Sequence, residues 1–291
     1  RPSGDLSNAA ELPADVAAVI AKSLPENSAD LLLLQQQFQR VLHVALPATV
    51  GVELGEWSGS GVVVSPEGLV LTAGHVVGQP EQPVQFVFAD GTRAEGKMLG
   101  INRQLDCGMM QITDAGGPWP FVRQSTAEQL RMGDWVIAVG QPGGFHADRS
   151  PPVRLGRVLY EDDEIINTDC TLVGGDSGGP LLDMQGLLVG IHSRIGRRLT
   201  SNFHVPIRAY RNDWNRLLAG EVWGGPLAAD DPQVDRPLLG LAGRRAGDAC
   251  LVTQVFPNMP AAQAGIPAGD LLMDVDGKSI ATPEQLSALI D

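Results

Sequence analysis

The spacing of apolar residues divides the chain into two helical stretches, a long β-rich region and a shorter mixed region. Between residues 29 and 45 the apolar side chains recur every three or four positions, which predicts an amphipathic helix with Ser28 as its N-cap. A shorter helix is predicted over residues 14–24. We interpret residues 1–46 as an N-terminal helical segment, which either packs on the rest of the chain or forms contacts between copies of it.

From about residue 47 the pattern changes to short apolar runs separated by turn-forming residues. The runs that we predict to be strands are 49–54, 61–65, 69–72, 84–88, 108–112, 135–139 and 187–192. Many short strands with turn residues between them are typical of β-sandwiches and β-barrels. The 35 Gly, the 21 Pro and the low aromatic content of 5% also favour a mainly β protein with few helices.

The pattern changes again near the C-terminal end. Residues 219–235 are rich in Gly, Pro, Ala and Asp, and we interpret them as a linker between residues 47–218 and a second domain at 236–291. In the second domain a strand is predicted over residues 251–256, and a short helix ends at Gly265. The pair Asp276-Gly277 predicts a hairpin turn, and a further helix is predicted over residues 283–290.

Charge and cysteine content argue against several classes of function. The chain has 21 Lys and Arg against 34 Asp and Glu, a net charge of −13, which does not suit a nucleic-acid partner. Cys107, Cys170 and Cys250 lack paired spacing, so we predict buried free thiols. No apolar run reaches the roughly 18 residues of a transmembrane helix. His43 and His146 show no ligand spacing with acidic residues, and we predict no metal and no cofactor.

Three short stretches carry candidate chemistry. His75 lies in the apolar stretch 71–77, Asp106 lies in 104–112, and Ser177 lies in the glycine-rich stretch 174–181. A serine hydroxyl is a weak nucleophile until a base takes its proton, and histidine can take and return a proton near neutral pH. An aspartate can hold the imidazole in the required tautomer. The order His, Asp, Ser therefore predicts an acyl-transfer triad.

The glycines beside Ser177 allow unusual backbone angles and a close approach of substrate. The backbone N–H groups of Gly175 and Ser177 would then stabilise a developing oxyanion. Each of these stretches alone is common in ordinary loops and turns. It is their combination, in this order, that favours catalysis.

These stretches resemble the trypsin-like serine proteases of the HtrA/Deg family, over most of the chain from about residue 31 to its end. Residues 72–77 match the catalytic-histidine motif of that family, and residues 105–112 resemble the strand that carries its aspartate. Thr168-Asp169, eight residues before the serine, matches a Thr-Asp pair of the family. Asp176 stands where the family usually has Asn.

The resemblance implies a mainly β fold, a chymotrypsin-like double β-barrel with N-terminal helices and a partial α+β PDZ domain. The first barrel would supply His75 and Asp106, and the second would supply Ser177. It also implies that the substrate cleft includes Thr171, Ile191, His192 and Ser193. Because Thr171 is not acidic, we expect small aliphatic residues rather than Arg or Lys at the cleaved bond.

The resemblance extends to the second domain and to partners. Leu239, Gly240 and Leu241 resemble the carboxylate-binding loop of PDZ domains, which implies capture of C-terminal peptides. A PDZ domain of this type needs a further strand after residues 283–290, so we expect it to be incomplete at its C-terminus. Unfolded polypeptide substrates, a homotrimer or higher oligomer, and a periplasmic or otherwise extracytoplasmic location in a bacterium are also implied.

Three functions follow from these observations. The leading hypothesis is a serine endopeptidase that acts on unfolded or damaged proteins. The second is a catalytically silent peptide-binding scaffold or chaperone. An esterase with the same triad is the third, although its serine would be expected on a strand–turn–helix elbow.

The glycine-rich loop at 140–149 can hold two arrangements, so we expect it to switch the oxyanion hole.

Overall fold

The computed structural model describes residues 12–22, 24–54, 57–144, 149–196, 198–225, 241–255 and 260–290. The chain forms two units, Arg1–Leu227 and Ala228–Asp291, and their boundary lies inside the predicted linker 219–235. Each unit is described by itself below.

The N-terminal segment forms α1 (Ala14–Ile20) and α2 (Ser28–Ala48). The N-cap of α2 is Asn27, whose side chain accepts a hydrogen bond from the Asp30 backbone N–H at 3.0 Å. The prediction of Ser28 as the cap was therefore wrong by one residue. The helix also continues beyond residue 45 and includes Pro47, which has no N–H to donate to the His43 carbonyl, and it ends one residue later at Ala48.

The apolar face of α2 packs into the same core as the two barrels. Leu34, Val41 and Ala45 are buried there together with Leu182. Gln37 is fully buried, and its Nε2 donates to the Met184 carbonyl at 2.6 Å, so the amide satisfies a buried backbone acceptor. The structure supports packing of this segment on the rest of the chain, whereas contacts between copies stay a prediction.

Six antiparallel strands close the first barrel in the order β5-β4-β1-β2-β3-β6, with β6 paired back to β5. The strands are β1 (Thr49–Leu54), β2 (Trp57–Val63), β3 (Leu69–Ala73), β4 (Pro83–Phe88), β5 (Arg93–Asn102) and β6 (Cys107–Ile112). The interior is filled by alternating apolar side chains, among them Val52, Val70, Phe86 and Met110.

The second barrel closes in the order β10-β11-β12-β9-β8-β7, with β10 paired to β7. Its strands are β7 (Trp135–Val139), β8 (Val153–Glu161), β9 (Ile166–Thr168), β10 (Pro180–Asp183), β11 (Leu188–Ile195) and β12 (Asn202–Pro206). Two short helices follow, α3 (Ile207–Asn212) and α4 (Trp214–Leu218), and β13 (Val222–Trp223) then adds to β5 of the first barrel in parallel. The predicted mainly β double-barrel fold is confirmed.

The second unit is a small mixed α and β arrangement. It contains β14 (Leu241–Ala246), β15 (Ala249–Val255), α5 (Pro260–Gln263), β16 (Leu271–Leu272), β17 (Asp274–Val275), β18 (Lys278–Ser279) and α6 (Pro283–Ile290). The hairpin β17–β18 turns at Asp276 and Gly277, whose φ angles of 50° and 75° are those that Asp-Gly adopts most readily, so this predicted turn is confirmed. The core of this second unit is small and centres on Cys250, Ile280 and Leu286.

Candidate active site

The first barrel brings His75 and Asp106 together at one end of β3 and β6. His75 lies in a single 3₁₀ turn, Gly74–Val76, that follows β3 directly, and Asp106 lies just before β6. The Gly74 N–H donates to the Asp106 carbonyl at 2.8 Å. A Cβ on Gly74 would come within 3.1 Å of the Asp106 backbone, so glycine permits the close approach of the two segments.

The carboxylate of Asp106 holds the imidazole of His75 from two directions. His75 Nδ1 lies 3.0 Å from Asp106 Oδ2, and the His75 backbone N–H donates to Oδ1 at 2.9 Å. An ionised carboxylate can only accept, so Nδ1 carries the proton and Nε2 keeps its lone pair. Asp106 is buried with a left-handed φ of 59°, while about a third of the His75 side chain is exposed. The histidine is therefore oriented from the protein side and accessible from outside.

Ser193 adds a further bond to the same carboxylate. Its hydroxyl donates to Asp106 Oδ2 at 2.5 Å. The pairing of β11 with β12 shifts between His192 and Arg194, which leaves Ser193 as the extra residue of a bulge. Bulges re-aim side chains beside functional sites. Here the bulge turns Ser193 toward the first barrel.

Ser177 lies in the loop 174–179 before β10, and this loop is called the nucleophile loop below. The Ser177 hydroxyl donates to the Ser193 carbonyl at 3.2 Å. Among the contacts of the described residues, it has no hydrogen bond to His75. Ser193 thus contacts Ser177 through its carbonyl and Asp106 through its hydroxyl, and it joins two of the three residues predicted as a triad.

A second serine, Ser60 on β2, ties the nucleophile loop to the first barrel. The Ser60 N–H donates to the Ser177 carbonyl, and its hydroxyl donates to the Gly175 carbonyl, both at 2.8 Å. The Gln141 N–H in turn donates to Ser60 Oγ at 2.8 Å. Sequence reasoning missed Ser60 because nothing in the stretch Gly59-Ser60-Gly61 marks it as more than part of a strand.

The backbone donors proposed for the oxyanion hole are the N–H groups of residues 175 and 177. In the described part of the chain, the N–H groups of Gly175 and Ser177 have no hydrogen-bond acceptor. Gly175 has a φ of 93°, and a Cβ at this position would come within 2.9 Å of Pro142 and 2.8 Å of Gly143. The start of the predicted switching loop therefore packs directly against Gly175.

Asp176, between the two oxyanion donors, is completely buried and paired. Both of its carboxylate oxygens bind the guanidinium of Arg154 on β8, at 3.0 and 2.7 Å. The Val173 N–H also donates to Asp176 Oδ2 at 2.8 Å. A Cβ on Gly140 would lie 2.4 Å from Asp176 Oδ1, so glycine leaves room for the carboxylate.

The cleft assignments on β11 differ from what the sequence suggested. The side chains of Ile191 and His192 are fully buried rather than directed to a cleft. His192 Nδ1 lies 2.9 Å from His204 Nδ1, and His204 Nε2 lies 2.8 Å from the Thr168 hydroxyl. Strand alternation places both histidines inside the second barrel. Only the backbone of Ile191 and His192 is left to contact a substrate, and the expectation that the side chain of His192 lines the cleft is corrected.

Burial also sets the electrostatics of this pair. The pKa of His192 lies well below its ordinary value because of desolvation, and the neighbouring His204 and Arg154 lower it further. Desolvation lowers the pKa of His204 to about 3. Both rings are therefore neutral at physiological pH. The His192 backbone meanwhile bonds both Gly178 and Gly179, which makes β11 the inner support of the nucleophile loop.

The remaining predicted positions fall in different places. Thr171 is exposed just before the nucleophile loop. Leu239 and Gly240 lie outside the described residues, and Leu241 begins β14. Cys107, Cys170 and Cys250 are buried thiols that form no disulfide with one another, as predicted, and burial raises the pKa of the Cys170 thiol to about 12. Within the described ranges, no group of three or more His, Cys, Asp or Glu side chains is placed to hold a metal ion.

Comparison with known families gives two matches along the chain. Residues 59–191 match the family model of the trypsin-like peptidase domain, and residues 251–291 match that of the PDZ domain. The first match contains the His75–Asp106 pair and Ser177 in one peptidase domain. These two matches, together with the relatives described below, support an HtrA/Deg protease with a PDZ domain. The resemblance seen in the sequence is thereby confirmed.

Individual relatives agree with this family. A probable periplasmic serine endoprotease, DegP-like, of Pseudomonas putida GB-1 is 32% identical over 241 residues, which are 80% of this chain and 50% of that protein. The protein of the same description from Marinomonas sp. MWYL1 is 30% identical over 244 residues, 80% of this chain and 51% of its own. The chain thus spans about half the length of the curated relatives it matches.

A solved structure is similar as well. The crystal structure of the serine endoprotease from Yersinia pestis has a TM-score of 0.55 and 25% sequence identity to this chain, and the match covers 87% of each. Among the helices of the described ranges, none combines the length and apolar character that crossing a bilayer requires.

Proposed function

We propose that this HtrA/Deg protein is a serine endopeptidase that cleaves unfolded or damaged proteins, with His75, Asp106 and Ser177 as its triad. The observation that carries the proposal is that Asp106 accepts hydrogen bonds from both the imidazole and the backbone N–H of His75. Ser193 connects this pair to Ser177, because its hydroxyl donates to Asp106 and its carbonyl accepts from the Ser177 hydroxyl. This arrangement leaves His75 Nε2 able to accept a proton. The geometry supports acyl transfer on that ground.

The proposed reaction follows from the roles of these groups. His75 takes the hydroxyl proton of Ser177 as the Ser177 oxygen attacks the scissile carbonyl. The imidazolium that forms on His75 is stabilised by Asp106. The N–H groups of Gly175 and Ser177 receive the negative charge that develops on the carbonyl oxygen. His75 then gives its proton to the leaving amine. Water attacks the acyl-serine in a second step by the same route.

One contact must change before this reaction can start. The Ser177 hydroxyl donates to the Ser193 carbonyl and has to exchange this acceptor for His75 Nε2. Serine rotamers interconvert readily, and catalytic hydrogen bonds often form fully only with substrate bound. The same contact is the observation that favours the second candidate, a silent scaffold or chaperone, in which the exchange never occurs.

The substrate is proposed to bind as an extended strand beside β11, with backbone hydrogen bonds providing the affinity. Residue 171 is a threonine rather than an acid, so we propose small aliphatic residues at the cleaved bond. Mapping of the cleavage sites in casein by mass spectrometry tests this preference. A majority of cuts after Arg or Lys would contradict it.

The PDZ unit is proposed to capture C-terminal peptides through Leu239, Gly240 and Leu241, where backbone N–H groups would bind the carboxylate. A peptide with a free C-terminal carboxylate is expected to bind more tightly than its amidated form in fluorescence anisotropy. Equal affinity of the two peptides would remove this role. We also propose a periplasmic or otherwise extracytoplasmic location, because relatives are named periplasmic, and a homotrimer or higher oligomer.

Replacement of Ser177 by alanine tests the central proposal. Ser177→Ala is expected to lower the rate of casein cleavage by about 10⁴–10⁶-fold, with thermal unfolding unchanged. Ser201→Ala, on a half-buried serine of the same barrel, is the matched control and should cleave normally. A fluorophosphonate should label wild-type Ser177. A wild-type chain that is neither labelled nor active would favour the scaffold instead.

A further inference from the structure

The pair Arg154–Asp176 lies next to the reacting serine but contains none of the proposed triad. Asp176 is fully buried, and the side chain of Arg154 is 18% exposed. Two parallel N–H···O bonds of 3.0 and 2.7 Å join them, which is the geometry that makes arginine–carboxylate pairs both strong and directional. Arg154 is on β8, a strand that supplies no group of the triad.

The position of Asp176 in the nucleophile loop explains how the Arg154–Asp176 pair can orient the two proposed oxyanion donors. Residue 176 separates Gly175 and Ser177, whose N–H groups are the donors of the proposed oxyanion hole. The Val173 N–H donates to Asp176 Oδ2 at 2.8 Å, and the Asp176 N–H donates to the Val173 carbonyl at 3.1 Å. These bonds close residues 173–176 into a turn, and Arg154 fixes that turn to the wall of the second barrel.

We propose that Arg154 is a positioning residue that holds the nucleophile loop, and with it the oxyanion hole, in its receptive arrangement through Asp176. This role rests on the proposed endopeptidase function. A carboxylate buried without its partner is strongly destabilising, so the turn cannot keep Asp176 inside once Arg154 is removed. The two N–H donors then lose their common orientation, although no triad atom has changed.

Other contacts explain why the support must come from β8. On its opposite side the nucleophile loop is held by Ser60, whose bonds reach the carbonyl groups of Gly175 and Ser177. Those bonds act on carbonyl oxygens and leave the side chain of residue 176 unrestrained. Gly140 adds only space, because its hydrogen replaces a Cβ that would lie 2.4 Å from Asp176 Oδ1. In the described part of the chain, Arg154 is the sole cationic partner of Asp176.

The test uses Arg154→Gln, Arg154→Lys and the uncharged pair Arg154→Gln with Asp176→Asn. Arg154→Gln is expected to slow fluorophosphonate labelling of Ser177 and kcat for a peptide substrate by about 10- to 100-fold, less than the loss of a whole oxyanion donor. KM should change by less than about twofold, because ground-state binding is not altered. Arg154→Lys keeps the positive charge but cannot form the two parallel hydrogen bonds of a guanidinium, so its labelling rate and kcat should lie between those of wild type and Arg154→Gln.

The double variant Arg154→Gln with Asp176→Asn distinguishes a positioning role of Arg154 from a general loss of stability of the fold. Asn at 176 no longer requires a cation, so the double variant should be labelled about tenfold faster than Arg154→Gln. The matched control is Arg208→Gln, which breaks the similarly buried pair Arg208–Glu161 elsewhere on the second barrel. It should lower the melting temperature without slowing the labelling of folded protein.

Hydrogen exchange of the segment 173–179, followed by mass spectrometry, is read in the same variants. Arg154→Gln should speed exchange of this segment at least about tenfold, and Arg208→Gln should not. Unchanged labelling together with unchanged exchange in folded Arg154→Gln would overturn the proposal. A wild-type chain that is never labelled would overturn the endopeptidase function instead, and the exchange result would still decide whether Arg154 holds the loop.

Discussion

At the scale of single residues, Ser193 links the members of the site. Its hydroxyl bonds Asp106 at 2.5 Å, and its carbonyl accepts from Ser177 at 3.2 Å. The hydroxyl stabilises the charge of a buried carboxylate, while the carbonyl accepts the hydroxyl hydrogen that Ser177 would otherwise offer to His75. One residue of a strand bulge therefore supports the proposed base and holds the resting serine.

Ser193→Ala is expected to lower kcat about 10-fold, because a hydrogen bond to a charged group contributes about 1.5–3 kcal/mol and Asp106 retains its bonds from His75. Steady-state kinetics on a peptide substrate measure the loss, and KM should change little. Ser193→Thr keeps a hydroxyl and should retain most of the rate. Equal losses in both variants would mean that packing, and not the hydroxyl, is responsible.

Asp106→Asn is expected to lower kcat by roughly 10⁴-fold, since an amide can donate to Nδ1 and favour the tautomer in which Nε2 carries the proton. The substitution is nearly isosteric, so the fold should persist. Asp90→Asn, on an exposed turn of the same barrel, is the control. Wild-type kinetics in Asp106→Asn would remove Asp106 from the triad.

At the scale of elements, the nucleophile loop packs against the first barrel with no spare volume at Gly178. A Cβ on Gly178 would lie 2.0 Å from the Ser60 carbonyl and 2.1 Å from the Thr72 hydroxyl, at a φ of 90°. Both contacts come from the first barrel: one is a backbone carbonyl and the other is a buried hydroxyl that donates to this carbonyl, so neither can move aside easily. The loop is therefore specified by packing as much as by glycine flexibility.

Gly178→Ala is expected to reduce the free energy of unfolding by at least about 2 kcal/mol, from left-handed strain of about 1–2 kcal/mol plus the steric overlap. Urea unfolding followed by circular dichroism gives the change. Gly174→Ala is the control within the same loop, because a Cβ there meets nothing within 4 Å. Similar stability of the two variants would show that the loop relocates at little cost.

At the scale of the whole molecule, the acid stability of the protease unit depends on the buried pair His192–His204. Both pKa values are lowered, to about 3 for His204, mainly by desolvation. In the unfolded chain both histidines protonate near pH 6.5. Below that pH the unfolded state binds more protons, so stability falls as the pH drops, until the folded His204 protonates near pH 3.

Each histidine should contribute a slope of about 1.4 kcal/mol per pH unit between pH 6 and 4, and none above pH 7. Urea unfolding of wild type and of His204→Gln at several pH values measures the difference in slope. The exposed His43 supplies the control variant, His43→Gln. The same slope in wild type and His204→Gln would contradict a buried neutral His204.

Much of the fold could be predicted from the sequence because local patterns carried it. The strand 135–139 was predicted with its observed bounds, and the turn at Asp276-Gly277 was recognised from its two residues. In contrast β5 and β8 were missed, since charged residues and glycine interrupt their apolar alternation. Their pairing with neighbours, rather than their own composition, makes them strands.

The sequence by itself determined which residues are proposed to carry the chemistry: His75, Asp106 and Ser177 could be named because motif order and side-chain chemistry are local properties. Only the tertiary structure decided that His192 is inside the barrel, and that Ser60 and Arg154 support the nucleophile loop. These roles depend on strand register, bulges and contacts between residues far apart in the chain. Such contacts arise when the two barrels close, and no short stretch of sequence encodes them.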